Sequence, residues 1–294
     1  MPQTLNKYIE QNKAIIHEEL RRYLNHLQIP NRLKEAMLYS LEAGGKRLRP
    51  ILVIASFEAY NVEKNNVLSA AIALEMVHTY SLIHDDLPAM DDDDFRRGKP
   101  TNHRVFDEAT AILAGDALLT YSFEIIADDP LLSETQKVKL IKMLSQASGP
   151  KGMVAGQMLD MEAENTSVAL EALEEIHARK TGELIVFAII AGAYIGGATT
   201  KQLDHLYEFA CSLGLLFQVQ DDILDVIGDE DKLGKPVGSD ENNHKSTYPK
   251  LLGLEGAKEK KRFYVEKAKR ALEKAGADNS YLMDLTNYFS SRDR

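Results

Sequence analysis

Two groups of aspartates carry most of the chemistry in this 294-residue chain. The first runs from Asp85 and Asp86 through Leu87-Pro88-Ala89-Met90 to Asp91-Asp92-Asp93-Asp94, followed at once by Phe95-Arg96-Arg97-Gly98-Lys99. The second is Gln218-Val219-Gln220-Asp221-Asp222-Ile223-Leu224-Asp225. Both are set in apolar, helix-forming sequence, where a carboxylate is costly unless a cation or a proton neutralises it. Hard divalent cations such as Mg2+ take oxygen ligands and bridge to substrate phosphates. Two such groups in one chain suggest a metal-bridged diphosphate site.

The second group has helical spacing. Gln218, Asp221, Asp222 and Asp225 stand at i, i+3, i+4 and i+7, which is one helix face. The alternative is a solvated face, but such a face usually mixes in lysine or arginine, and this one has none. The first group lies at a helix end, because Pro88 lacks an N–H and its ring opposes the carbonyl of His84. Beyond that stop, Asp91 is expected to curl back toward Asp85 and Asp86. A run of four aspartates, taken alone, also fits a solvated charge run.

Cations follow the same logic. Arg96 and Arg97 come directly after the first group, where guanidinium forks either clamp phosphate oxygens or neutralise the neighbouring aspartates. Gly44-Gly45-Lys46-Arg47-Leu48-Arg49-Pro50 puts three cations in four positions behind two glycines, an anion site that needs no metal. His177-Ala178-Arg179-Lys180-Thr181-Gly182 places a lysine and a hydroxyl on a mid-chain helix. The stretch from Gly228 to about His244, rich in Gly, Asp and Lys, reads either as a lid beside the second group or as a surface connection. Lys235 lies in it and Lys245 just after it. No Gly-x-x-x-x-Gly-Lys-Ser/Thr run exists, so the phosphate site is not a P-loop, and no Cys/His spacing suits zinc.

The elements that must position these residues are helical. Leu20, Tyr23, Leu24 and Leu27 share a face; Leu68, Ile72, Met76 and Tyr80 step by four; Leu203, Leu206, Tyr207, Ala210 and Leu213 repeat the pattern. No segment alternates as a strand does. Breaks fall at Gln28-Ile29-Pro30, Ala127–Pro130, Ser148-Gly149-Pro150 and Ile195-Gly196-Gly197, and Ser133-Glu134-Thr135-Gln136 is a capped helix start. The pattern predicts ten or more helices in one continuous domain, residues 1–294. Hydrophobic residues make up 44 %, enough for a substantial core. With 35 basic against 45 acidic residues the net charge is −10, which argues against non-specific nucleic-acid binding. Cys211 is the only cysteine, so no intrachain disulfide forms, which fits a reducing compartment. The N-terminus lacks the basic and apolar regions of a signal peptide. The longest uncharged apolar stretch, Leu184 to about Thr200, is expected to be a buried core helix and not a membrane span.

Taken together, these motifs resemble the trans-prenyltransferases, the short-chain isoprenyl diphosphate synthases. The resemblance covers about Leu33 to about Leu254. It rests on Gly44–Pro50, Asp85–Gly98, Gly156-Gln157, Lys180-Thr181-Gly182, Phe217–Asp222 and Lys245-Ser246-Thr247-Tyr248-Pro249, in that order. The four-residue gap between Asp86 and Asp91 is similar to that of the bacterial farnesyl diphosphate synthase type. The resemblance implies an all-α helical bundle around a central cavity, a cytoplasmic homodimer without stable membrane insertion, and three Mg2+ ions per active site, replaceable by Mn2+. It implies that Asp85, Asp86 and Asp91 ligate from one wall and Asp221 from the other, with Asp222 and Asp225 assisting. Arg96, Lys180, Thr181, Gln218, Lys235 and Lys245 would contact the allylic diphosphate; Lys46, Arg49, His78 and Arg97 would hold isopentenyl diphosphate.

The implied reaction joins isopentenyl diphosphate head-to-tail to dimethylallyl and then geranyl diphosphate, with farnesyl diphosphate as main product and geranylgeranyl diphosphate as the alternative. The carbonyl of Lys180, the hydroxyl of Thr181 and the amide of Gln218 are candidates to stabilise the allylic cation, and the departed diphosphate is the base. Tyr80, five residues before Asp85, lies about 7–8 Å from it along a helix axis and would form the cavity floor. Ser81 shares the Asp85 face more closely and is a second wall residue; the plain alternative for Tyr80 is a packed core aromatic. A terpene cyclase would replace the second group with an Asn/Ser/Glu-type motif and would not need the basic site from Lys46 to Arg49. A non-catalytic partner subunit would have lost one acidic group, and both are intact.

Overall fold

The computed structural model describes residues 4–61, 64–164, 166–228 and 246–292. The described chain is almost wholly helical, as its periodicity predicts. The helices are α1 (Leu5–His26), α2 (Asn31–Leu41), α3 (Leu48–Glu58), α4 (Leu68–Asp85), α5 (Asn102–Val105), α6 (Glu108–Ala127), α7 (Glu134–Ser148), α8 (Met153–Ala163), α9 (Leu170–His177), α10 (Glu183–Gly196), α11 (Thr200–Ile227), α12 (Tyr248–Lys274) and α13 (Tyr281–Ser291). Two compact units divide them: Met1–Ile54 with Glu63–Lys142, and Ala55–Val62 with Met143–Arg294.

In the first unit, α4 is the central element. Ser69 through Val77, Thr79, Tyr80 and Ile83 are all buried, so this helix is surrounded, not amphipathic. Its alanines keep neighbouring backbones close, and α6 packs along it. The start of α6 is capped by Asp107, whose carboxylate accepts the Thr110 N–H at 2.7 Å. Asn102 of α5 ties the unit together by donating to the Ala36 carbonyl and to Ser40 Oγ, each at 2.8 Å. Among the described residues the only strands are a hairpin of two-residue strands, β1 (Phe95–Arg96) and β2 (Lys99–Pro100), too short to show alternation.

In the second unit, α11 is the long central helix and packs on α10 and α12. Its start is a full capping box, Thr199 with Gln202. In the first unit the predicted Ser133–Gln136 cap is also formed, with the Gln136 N–H donating to Ser133 Oγ at 3.3 Å. The apolar stretch from Leu184 is α10, a 14-residue helix buried along most of its length and shorter than a membrane span. It ends at Gly197, whose φ of +91° is the left-handed helix stop that suits glycine. Among the described residues one helix, α6, is long and apolar enough to pass a length-and-composition test for a span. Tyr207 departs from its expected apolar face: it is 53 % exposed, while Leu206, Ala210 and Leu213 are buried as expected.

Candidate active site

In the first unit the proline stop behaves as expected. α4 ends at Asp85 with Asp86 as its cap, and the Asp91 N–H donates to the Asp85 carbonyl at 2.9 Å. The chain therefore folds back on itself over the first aspartate pair. Asp86 is buried and accepts from Arg96 Nε at 2.7 Å. Burial pushes its carboxyl above the usual range; Arg96 pulls it down again, and the charges of Asp93 and Asp91 push it up. Oxygen donors crowded around a buried, like-charged carboxylate fit a hard divalent cation. Among the described residues no three His, Cys, Asp or Glu side chains already stand close enough to hold an ion. Asp85, Asp86 and Asp91 would hold such a cation, and Arg96 is the present counter-charge of Asp86.

The hairpin supplies the next layer. Arg97 and Gly98 form its two-residue turn with φ of +55° and +74°, the sign pattern of a type I′ turn. This turn carries Arg97 back to the Gly44 carbonyl, to which its Nη1 donates. Gly45 leaves the room: a Cβ there would run into the Arg97 guanidinium. Arg49 Nη1 lies 3.3 Å from His78 Nε2. Burial holds the His78 imidazole well below its ordinary range, and the charges of Arg49, Arg97, Arg47 and Arg96 hold it lower still. His78 is thus a neutral acceptor inside a cluster of guanidiniums. Burial also lowers Arg97, as do Arg47 and Arg96, while Glu75 supports its charge. The guanidiniums of Arg49 and Arg97 around a neutral imidazole make a favourable seat for an anion. Lys46 is half-buried at the edge of this loop. Arg47, the middle cation of the motif, does not point with them but turns into the core.

Tyr80 is 6 % exposed, and its ring meets His84 edge-on at 5.7 Å. Burial, with the charge of Asp85 behind it, pushes the phenol up to about 12. Ser81 Oγ donates to the His78 carbonyl at 3.0 Å, so its hydroxyl is spent on its own helix. His84 donates from Nε2 to the Ile112 carbonyl of α6 at 3.1 Å, and sits where a Cβ on Gly115 would be.

In the second unit, α9 and α10 are joined without a break by a π-helical turn, Ala178–Gly182. Such turns are rare and collect at functional sites. This one carries Lys180 and Thr181. It is pressed between α8 and α11: a Cβ on Gly156 would strike the Lys180 backbone, and a Cβ on Gly214 would come within 2.9 Å of Gly182 Cα. Lys180, Thr181, Gln218 and Asp222 then line one cavity of about 150 Å3 together with Asp160 and His177. Lys180 Nζ donates to Asp160 Oδ2 at 2.6 Å. Asp222 Oδ2 accepts the Tyr248 N–H at 2.9 Å, and His177 stacks on the Tyr248 ring at 5.8 Å. Asp221, on the same helix face, accepts from Arg292 Nη2 at 2.5 Å, while Asp225 is buried. Lys235, Lys245 and the lid read into Gly228–His244 lie outside the described residues, apart from Gly228 itself.

Four participants escaped the sequence reading: Glu75, Asp160, His177 and Arg292. His177 and Asp160 each had a signal, one at the head of the motif ending in Gly182, the other three residues after Gln157. Arg292 had none, since only folding brings residue 292 to residue 221.

Comparison with known proteins bears on this arrangement. A family model described as polyprenyl synthetase matches residues 30–285. The farnesyl diphosphate synthase of Geobacillus stearothermophilus is 51 % identical over 99 % of this chain and 98 % of its own. The chloroplastic geranylgeranyl pyrophosphate synthase of Capsicum annuum is 47 % identical over 90 % of this chain and 72 % of its own. Among solved structures, an apo FPP/GFPP synthase from Zymomonas mobilis superimposes with a TM-score of 0.86 at 38 % identity, covering 98 % of this chain and 99 % of that one.

Proposed function

The chain belongs to the polyprenyl synthetase family, and from that premise we propose that it is a prenyltransferase making farnesyl diphosphate. It condenses isopentenyl diphosphate with dimethylallyl and then geranyl diphosphate. The observation that carries this reading is the pairing, in one compact unit, of two unlike anion-handling groups. Asp85, Asp86 and Asp91 suit a diphosphate bridged by metal; Arg49, Arg97 and the neutral His78 suit a diphosphate without one. An enzyme with one diphosphate substrate needs only the first.

The residues divide accordingly. Lys46, Arg49, His78 and Arg97 hold isopentenyl diphosphate. Arg96, Lys180, Thr181, Gln218, Lys235 and Lys245 hold the allylic diphosphate. Asp85, Asp86, Asp91, Asp221, Asp222 and Asp225 hold Mg2+, three ions per site, with Mn2+ able to replace it. When bound, the metal offsets the charge that develops on the diphosphate as it departs. The protein's own share is to fix Lys180 beside Asp160, to present the Thr181 hydroxyl and the Gln218 amide to an electron-poor carbon, and to keep water out. The bond between C1 and the diphosphate oxygen breaks with its electrons leaving on oxygen. The isopentenyl double bond attacks C1, and the released proton passes to the departed diphosphate.

The whole chain acts as one domain in a cytoplasmic homodimer, without stable membrane insertion. The outward face of α6 supports self-association: Ile112 and Leu113 are 42 % and 59 % exposed, and an open groove of about 520 Å3 lies beside Leu113. The buried ring of Tyr80 favours the fifteen-carbon product over the geranylgeranyl alternative. An assay with radiolabelled isopentenyl diphosphate and each allylic starter, resolving products by chain length, tests the reading. A main product of fifteen carbons from both starters is expected; no elongation of either starter overturns it.

A further inference from the structure

We infer that the buried Arg47–Glu75 pair is the positioning element of the isopentenyl diphosphate site, an assignment that rests on the reading above. In the sequence Arg47 stands between Lys46 and Arg49 like a third ligand. The fold gives it another task. Its side chain is buried, and its guanidinium forks: Nη1 donates to the Glu75 carboxylate and Nη2 to the Leu41 carbonyl. Its backbone has φ of +52°, a left-handed conformation costly for a side chain this long. Such a conformation persists only when its surroundings over-determine it. Here the fork does so.

The fork joins three helices. Leu41 is the last residue of α2, Glu75 lies on α4, and the Arg47 carbonyl accepts the Ile51 N–H at 3.1 Å, opening α3. Two residues on, Arg49 reaches His78, one turn along α4 from Glu75. The contacts Arg47–Glu75 and Arg49–His78 are therefore two rungs between the start of α3 and one face of α4. Breaking the first removes the constraint that sets the second, and with it the placement of Lys46 and Arg49 around an incoming anion. Glu75 has a second effect, since its carboxylate supports the charge on Arg97. The pair thus orients the cluster, and its Glu75 member offsets the repulsion that Arg47 adds.

Stability alone does not call for a buried ion pair here, because well-packed apolar residues often replace one at no cost. That contrast supplies the test. Isopentenyl diphosphate binding is measured by calorimetry without added metal. Thermal melting and KM for both substrates are measured alongside. Arg47→Met combined with Glu75→Leu is the apolar replacement. Arg47→Lys keeps the charge but cannot hold Glu75 and the Leu41 carbonyl together. The apolar pair is expected to melt near the native temperature yet to bind isopentenyl diphosphate roughly ten- to a hundredfold more weakly, as for a displaced binding group. Arg47→Lys is expected to fall between, with the allylic KM nearly unchanged in both. Native affinity in a folded apolar pair overturns the inference, as does an equal loss for both substrates in Arg47→Lys. Arg49→Ala separates this from the parent reading. If it weakens isopentenyl diphosphate while the Arg47 variants do not, only the positioning role fails; if it has no effect, both fail.

Discussion

Lys180 and Asp160 form a half-buried ion pair, Nζ to Oδ2 at 2.6 Å, across the cavity that also holds Gln218 and Asp222. The lysine sits in the π turn and the aspartate on α8, whose Gly156 allows the two backbones to touch. Asp160 thus fixes where a flexible ammonium points before any substrate arrives. Lys180→Ala is expected to lower kcat on the order of a hundredfold, as for loss of a donor aimed at developing charge, and to raise the allylic KM. Asp160→Asn keeps the lysine but loosens it, so a smaller loss on the same substrate is expected. Steady-state kinetics with each diphosphate varied in turn decides this. A loss confined to isopentenyl diphosphate sinks the assignment.

The aspartates give a sharper test. Asp86 and Asp221 each have an arginine against them, Arg96 and Arg292. On the proposed metal reading, a bound cation would take over the charge that these arginines now supply. Asp85→Ala or Asp221→Ala is expected to nearly abolish turnover at a cost of ~3 kcal/mol or more in transition-state stabilisation, with helical circular dichroism unchanged. Kinetics over a range of Mg2+ concentrations supply the check, and near-native kcat in either variant removes that residue from the metal set.

Much of this was legible before folding because helical spacing is a local property. Gln218, Asp221, Asp222 and Asp225 share a face through periodicity alone, and Pro88 stops α4 through local sterics. What stayed hidden depends on distant contacts. The sequence motif counted Arg47 as one of three cations of an anion site, and its distant partner Glu75, 28 residues away, shows why it turns inward. The hairpin at Arg97-Gly98 was hidden by strands of two residues each. The π turn at Lys180 was hidden because its periodicity differs little from that of the α-helices on either side. Tyr207 follows the apolar stripe by spacing, yet among the described residues nothing covers it enough to bury it.

A pH dependence follows from His177. Burial holds its imidazole down to about 4, against an ordinary 6.5. Between those values the unfolded chain binds a proton that the folded chain refuses, so stability is complete above about 6.5 and falls as pH drops toward 4. The contribution is on the order of 3 kcal/mol by linkage. His177→Phe, which keeps a ring against Tyr248, is expected to melt at a temperature that changes less between pH 7 and pH 5 than the native protein's does. Parallel slopes for the two proteins in thermal melts across that range show that another group is responsible.

The last prediction concerns product length. Tyr80 buries its ring in the first unit, five residues before Asp85, and His84 meets it edge-on. His84 is itself pinned by the Ile112 carbonyl and by the space that Gly115 leaves. Tyr80 is thus met on one edge by a pinned imidazole, which suits the floor proposed for it, whereas Ser81 is small and bonded to its own helix. Tyr80→Ala removes that floor while leaving every diphosphate-binding residue in place. The expected result is a shift of the main product from fifteen carbons to twenty or more, with turnover retained. Ser81→Ala, which removes only a hydroxyl already spent on the His78 carbonyl, is expected to leave the distribution unchanged. Gly115→Ala displaces the His84 ring that meets Tyr80 and is expected to disturb the distribution without changing the tyrosine itself. Chromatography of the dephosphorylated products by chain length reads all three variants. An unchanged fifteen-carbon product from Tyr80→Ala shows that the ring is core packing and that the tail stops against another wall.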